Sequence, residues 1–333
     1  MQITVFGAGS WGCALAHQMA RRGHDVLLWA FEPEVAAGIN SDHRNPVFLT
    51  DAELHPAIRC TNDLEEAAGH ADVWIWVVPV QFSRGVMERL APHLRDEVVL
   101  VSASKGIETE SLDRMDEIAT DALGIRTSRF CCLSGPTFAI GVVNGDPSAA
   151  VLACREMNNA VRLQEEFSDH YLRCYAGADL IGVELAGALK NVVAIAAGII
   201  DGLGLGANTQ AALMTRGLHE ITRLGVALGA EADTFRGLAG MGDLVLTSTS
   251  ELSRNRQVGK RLGQGESLDE ILGSMREVAE GVKTTPAAAA LAENLGIEMP
   301  ITQAMTAILQ GRMAAADALK ALMTRQLKVE TQL

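Results

Sequence analysis

Apolar residues fall in short unbroken runs along the first half of the chain and in helical spacing along the second. The runs lie at 3–6, 26–29, 73–78, 98–101 and 131–133, with helix-length segments between most of them. A strand that is apolar throughout has no solvent face, so these runs predict parallel strands covered by helices on both sides. Shorter runs at 149–153 and 172–175 flank a polar helical stretch at 156–167 and extend or close the sheet. Residues 1–176 therefore read as a Rossmann-type, doubly wound α/β sheet.

From residue 177 the pattern changes. Ala, Leu, Gly and Met dominate, β-branched clusters are few, and no convincing strand remains. The spacing predicts helices over 178–200, 208–228, 233–238, 254–263, 267–273, 284–295 and 301–311, with a last one inside 314–327. Residues 177–333 are expected to form an all-α domain. No Pro- or Ser-rich linker marks the boundary, and no internal repeat is found.

Composition narrows the function. A chain of 333 residues suits two domains. It carries 28 Lys and Arg against 41 Asp and Glu, a formal charge of −13, which argues against nucleic acid or an anionic membrane as partner. A small anionic ligand is not excluded, because it feels a local pocket rather than the sum. The six Cys show no metal-like spacing and sit mostly in apolar stretches, so they read as buried free thiols in a reducing compartment, with no metal expected. No apolar run reaches 18 residues and the N-terminus lacks a signal-peptide pattern, which points to a cytoplasmic protein without membrane insertion.

Two regions carry chemistry. Gly7-Ala8-Gly9-Ser10-Trp11-Gly12 fits G-x-G-x-x-G between the first strand and a helix running to about Arg22. In that context the first Gly makes a tight turn, the second admits a pyrophosphate and the third lets helix and strand pack closely, with the helix N-terminus facing the phosphates. Glu32, 20 residues beyond Gly12, has two readings. It can hold a ribose 2′-hydroxyl, favouring NAD, or simply start the next helix as an acid suited to the dipole. Phe31 can cover an adenine or be a half-buried strand end.

Lys190 is the only charge in the apolar stretch 185–200, on a helix predicted to be buried. A Lys there either reaches a cleft or has a built-in partner, and Asp243, amid Gly240, Met241 and Gly242, is a candidate. Burial would make the amine a usable proton donor or acceptor. Ser253-Arg254-Asn255 starts a helix where an anion is favoured; the following Arg256, Lys260 and Arg261 read as a solvated basic face. Lys105 lies just past a strand's C-terminal end, where ligands sit in open α/β sheets.

These segments together resemble the NAD(P)-dependent glycerol-3-phosphate dehydrogenases of the soluble bacterial biosynthetic type. The resemblance runs through GAGSWG (7–12), WAFEPEV (29–35), VVPVQF (77–82), SASKGIE (102–108) and LSGPTFA (133–139). It continues in ELAGALKNVVAIAAGIIDGL (184–203), GLAGMGDLVLTSTSELSRNRQVG (237–259) and VAEGVKT (278–284). It implies reversible hydride transfer between NAD(P)H and dihydroxyacetone phosphate, giving sn-glycerol 3-phosphate for phospholipid synthesis. By the same resemblance Lys190 exchanges the proton with the substrate oxygen, and Lys105 touches substrate and cofactor. Gly135, Thr137, Asp243, Ser253, Arg254 and Asn255 match substrate positions, with Arg254 also reaching the cofactor. Ser10, Trp11, Phe31, Phe82, Ala139, Val278 and Glu280 match cofactor positions. Many bacterial relatives have a basic residue at Phe31, whereas Phe31-Glu32 resembles the NAD-preferring branch.

Two other readings are weighed against this one. A two-domain hydroxy-acid dehydrogenase would have no need of Ser253-Arg254-Asn255. A non-catalytic dinucleotide sensor would gain little from a buried ammonium. An apolar all-α domain of this size often dimerises, which allows a homodimer without picking out a surface.

Overall fold

The computed structural model describes residues 1–275, 278–327 and 329–330. The expected end of the second domain, residue 333, lies outside them. The chain forms two compact units. One comprises Met1–Lys105 and Asp113–Glu184, the other Gly106–Leu112 and the chain from Leu185 onward.

The first unit is built on one eight-stranded sheet: β1 (Gln2–Phe6), β2 (Asp25–Trp29), β3 (Arg59–Thr61), β4 (Val73–Trp76), β5 (Val99–Ser102), β6 (Phe130–Ser134), β7 (Ser148–Cys154) and β8 (Leu172–Gly177). Their order is β3-β2-β1-β4-β5-β6-β7-β8, the first six in the Rossmann arrangement. All neighbours are parallel except β6 and β7, which run antiparallel. The central strands β4, β5 and β6 are buried at every position, as unbroken apolar runs require. Helices α1 (Ser10–Arg21), α2 (Pro33–Asp42), α3 (Leu64–His70), α4 (Val80–Leu90), α5 (Met115–Ile118), α6 (Ala139–Asn144) and α7 (Met157–Phe167) connect the strands. The sequence pattern misses β3: it has three residues and one apolar side chain, too short for an alternation to register.

Helices make the second unit: α8 (Leu180–Gly202, whose first turn belongs to the first unit), α9 (Ala207–Ala227), α10 (Asp243–Thr249), α11 (Arg254–Gly263), α12 (Leu268–Ser274), α13 (Glu280–Asn294), α14 (Pro300–Leu309) and α15 (Ala315–Met323). Val192, Ile195 and Ile199 of α8 pack with Val258, Ile271, Val282 and Met305 in one apolar cluster. By length and hydropathy α8 passes the test for crossing a membrane, yet its most apolar 18-residue window is wholly buried, which marks it as a core helix.

Two helical expectations shift. In place of a helix over 233–238 the chain makes a 3-10 turn at Ala232–Arg236 and a wide turn at Leu238–Gly242 before α10 begins. Helix α13 starts at Glu280, four residues before the expected 284, and accommodates Pro286 in its interior.

Candidate active site

In the first unit the Gly-rich segment turns sharply between β1 and α1. Gly7 has φ +107°, a region that strains any side chain, and its N–H donates to the Trp29 carbonyl at 3.0 Å. A Cβ on Gly12 would stand 1.8 Å from the Gly7 oxygen, so α1 packs on the turn only through glycine. Gly9 differs: it is the N-cap of α1, and a Cβ there would meet nothing within 4 Å. No side chain caps α1 and no acid lies in its first turn. A strain-free backbone with open space beside an uncapped, acid-free helix N-terminus fits a dinucleotide pyrophosphate.

Buried Asn45 braces this turn. Its amide donates to the Ala8 carbonyl at 2.7 Å, and its own carbonyl accepts from Val47 and Phe48 N–H. Ser10 donates to the Phe48 carbonyl at 2.9 Å, tying the same loop to the helix start. Trp11 is half-buried against the sheet core. Phe31 and Phe82 are 73% and 61% exposed, large apolar faces of the kind a flat ring would cover. Glu32 is the N-cap of α2, immediately before Pro33, and its side chain makes no capping bond. The position is that of the helix-start reading, without the cap that would use up the carboxylate.

Further along the sheet, Lys105 is half-buried beyond β5, next to Ser104, whose hydroxyl donates to the Val78 carbonyl at 2.6 Å. Gly135, Thr137 and Ala139 lie on one segment joining β6 to α6. Gly135 presses on β7, where a Cβ would meet the Ala150 Cα at 2.7 Å, and its carbonyl accepts from the Thr137 N–H.

In the second unit Lys190 is 6% exposed on α8 and forms a buried ion pair with Asp243, itself 1% exposed. Its ammonium also donates to Thr247 Oγ1 at 2.7 Å, and Thr247 donates to Asp243 Oδ1 at 3.3 Å. Asp243 and Thr247 are one turn apart on α10, so one helix face presents both oxygens to the amine. The pair offsets the large desolvation penalty of burying either charge alone.

Ser253 caps α11 through Oγ, which accepts the Arg256 N–H at 3.2 Å. Arg254 is exposed at the first position of that helix. Asn255 is buried and accepts the Gly281 N–H at 2.9 Å, fastening α11 to the start of α13 beside Glu280. A Cβ on Gly281 would stand 3.0 Å from the Asn191 carbonyl, the residue after Lys190. Helix α11 approaches α8 through glycines: a Cβ on Gly259 would lie 1.9 Å from the Ile195 oxygen, and one on Gly198 2.0 Å from the Arg256 oxygen. Lys190, Asp243 and Asn255 are thus held within one tightly packed group of helices. Val278, ahead of α13, is exposed.

The expected solvated basic face is corrected here. Arg256 is buried and paired with Asp201 at 3.1 Å and Glu251 at 2.7 Å, Lys260 also reaches Asp201, and Arg261 pairs with Glu266. Arg256 fastens α11 to its neighbours rather than facing water, while Lys260 and Arg261 are half-buried and combine their ion pairs with a solvent-facing side.

Profiles of known families place the chain. Residues 2–160 match the N-terminus, and residues 179–320 the C-terminus, of NAD-dependent glycerol-3-phosphate dehydrogenase. The chain belongs to that family. It is 52% identical over 330 residues to the glycerol-3-phosphate dehydrogenase (NAD(P)+) of Nitratidesulfovibrio vulgaris, covering 99% of this chain and 100% of the relative. It is also 52% identical over 330 residues to the enzyme of that name from Geobacter metallireducens, covering 99% and 98%. The crystal structure of glycerol-3-phosphate dehydrogenase from Coxiella burnetii superposes with a TM-score of 0.93 at 35% identity, covering 97% of this chain and 99% of that one. As a member of this glycerol-3-phosphate dehydrogenase family the chain is an oxidoreductase that uses NAD(H) or NADP(H) on a small-molecule substrate.

Two residues of this site escape the sequence reading. Thr247 could have been found as the position one helical turn after Asp243, had α10 been recognised. Asn45 could have been noticed from the turn-forming Asn45-Pro46 dipeptide, though nothing in the sequence ties it to Gly7–Gly12.

Proposed function

We propose that this chain catalyses reversible hydride transfer between NAD(P)H and dihydroxyacetone phosphate, yielding sn-glycerol 3-phosphate for glycerophospholipid synthesis. The observation that carries this reading is the buried Lys190 ammonium, locked by Asp243 and Thr247 in an otherwise apolar helix. Gly7, Gly9, Ser10, Trp11 and Gly12 bind the dinucleotide, with Phe31, Phe82, Lys105, Ala139, Arg254, Val278 and Glu280 completing its contacts. When bound, the reduced nicotinamide supplies the hydride to the carbonyl carbon.

The residues of the chain do the rest. Lys190 gives a proton to the ketone oxygen as negative charge develops there, and takes one back in the oxidative direction. Asp243 and Thr247 hold the amine in one orientation, so that no reorganisation is needed at the moment of transfer. Arg254 anchors the substrate phosphate, away from the reacting carbon, with Ser253, Asn255, Lys105, Gly135 and Thr137 positioning the remainder. The uncapped Phe31-Glu32 corner favours NADH as at least an equal of NADPH. Six buried free thiols support a reducing, cytoplasmic setting. The −13 charge supports a small-molecule rather than a polyanionic partner, and an apolar helical unit of this size suits a homodimer.

The test is to follow NADH and NADPH oxidation separately with dihydroxyacetone phosphate. Turnover with NADH at least comparable to NADPH is expected. Absence of turnover with either would refute the activity, and a strong NADPH preference would refute the corner's role.

A further inference from the structure

The antiparallel register of β6 and β7 sets Cys131 directly opposite Cys154. Residues opposite one another on such a ladder have Cα atoms roughly 4.5–5.5 Å apart, within the range of about 4.4–6.8 Å that a disulfide spans. Both side chains are buried in the same apolar cluster. Cys154 ends β7, two residues before Glu156, the N-cap of α7.

The neighbouring Cys131 thiol holds Cys154 below the ordinary thiol value, while Cys154 and burial push Cys131 up. Arg162 acts on Cys131, and the Glu156 carboxylate opposes the charge at Cys154. The Cys154 thiol lies within hydrogen-bond reach of the carbonyls of Phe130 at 3.3 Å and Ser128 at 3.8 Å. Other thiols are pushed the opposite way by burial: Cys60 to about 12, Cys174 to about 11, and Cys132 well above its usual value.

We propose that Cys131 and Cys154 are an oxidation site, a dithiol that a hydroperoxide converts into a cross-strand disulfide. The Cys154 thiolate attacks the peroxide O–O bond, taking one oxygen as a sulfenic acid and releasing the other as water or alcohol. Cys131 then attacks that sulfur, the S–S bond forms, and the sulfenic oxygen leaves as water. Two electrons and two thiol protons pass to the peroxide, and a dithiol reductant reverses the step. The bond would lock the ladder where β6 leads toward Gly135 and Thr137.

The experiment treats the folded protein with hydrogen peroxide, alkylates the remaining thiols and digests with trypsin plus a protease that cuts at Asp146. That cut is needed because no Lys or Arg lies between Arg129 and Arg155. The expected result is one reducible link between the Cys131 and Cys154 peptides. It should persist in Cys132→Ala and be lost in Cys131→Ala and in Cys154→Ala. A link through Cys132 instead, no link while both thiols remain alkylatable, or a link appearing only in the urea-unfolded chain would overturn the proposal. Should an Ala variant fail to fold, fragment-ion sequencing of the wild-type linked peptide decides, because the alkyl group then marks whichever of Cys131 and Cys132 stayed free.

Discussion

Lys190 and Asp243, 53 residues apart in sequence, meet as a buried ion pair, with Thr247 bonded to both partners. Removing one member of such a pair leaves an uncompensated charge, which typically costs about 3–5 kcal/mol. Asp243→Asn should therefore lower the denaturant midpoint markedly and reduce turnover, because the amine loses both its counter-charge and its orientation. The double variant Lys190→Met/Asp243→Leu should recover most of the stability and none of the activity. Equal instability of the single and double variants in urea titrations would show that packing, rather than charge pairing, dominates there.

Gly9 and Gly12 should respond in opposite ways to the same added methyl. Gly12→Ala forces a Cβ to within 1.8 Å of the Gly7 oxygen, so the turn must deform, and a loss of about 1–3 kcal/mol or more is expected. Gly9→Ala meets open space, and its backbone (φ −68°, ψ 179°) suits any residue. It should fold normally and bind NADH at least about tenfold more weakly, an effect of about 1.4 kcal/mol. Thermal melts with cofactor titration distinguish the two; normal NADH affinity in Gly9→Ala would mean the pyrophosphate does not sit there.

Arg254, exposed at the start of α11, is assigned to the substrate phosphate. A charge-assisted hydrogen bond contributes about 1.5–3 kcal/mol, so Arg254→Ala should raise KM for dihydroxyacetone phosphate about 10–100-fold. Unphosphorylated dihydroxyacetone should be far less affected. Equal losses on both substrates would contradict the anchoring role.

The stability of the chain should carry opposing pH signals from its two units. Glu220, on α9, accepts the N–H groups of Ile301 at 2.8 Å and Thr302 at 3.3 Å, and burial pushes its carboxyl up from 4.5 to about 7. The folded state keeps that proton after the unfolded chain has lost it. Its contribution is full below about 4.5 and is lost as pH rises through 7, amounting to about 3 kcal/mol. His17, on α1, is pushed down from 6.5 to about 4, chiefly by burial, and accepts the His55 N–H at 3.1 Å. Its contribution is full above 6.5 and is lost as pH falls toward 4. Urea titrations across that window should show Glu220→Gln flattening the decline between pH 4.5 and 7. An unchanged slope would place the carboxyl near its ordinary value.

The central strands were legible because burial on both faces leaves β4, β5 and β6 apolar at every position but the terminal Ser102 and Ser134. Helix α11 was legible to the residue, since Ser253 caps it in the sequence as in the fold. Helix α10 was not: its seven residues follow two glycines and include three threonines and serines, composition that local preference assigns to a turn, and only tertiary packing makes it helical. Thr247 was lost with it. Arg256 was misread for a related reason. A cation on an amphipathic helix is ordinarily solvated, and its partners Asp201 and Glu251 come from outside α11, one on α8 and one in the turn before it.

In the proposed reaction Lys190 is the group that exchanges the substrate proton. Steady-state oxidation of NADH with saturating dihydroxyacetone phosphate, compared between the wild-type chain and Lys190→Ala, tests it most directly, with NADH affinity measured alongside by fluorescence. The predicted result is a fall in kcat of about 10²–10⁴-fold with nearly unchanged NADH binding. Near-normal turnover in the variant would contradict it.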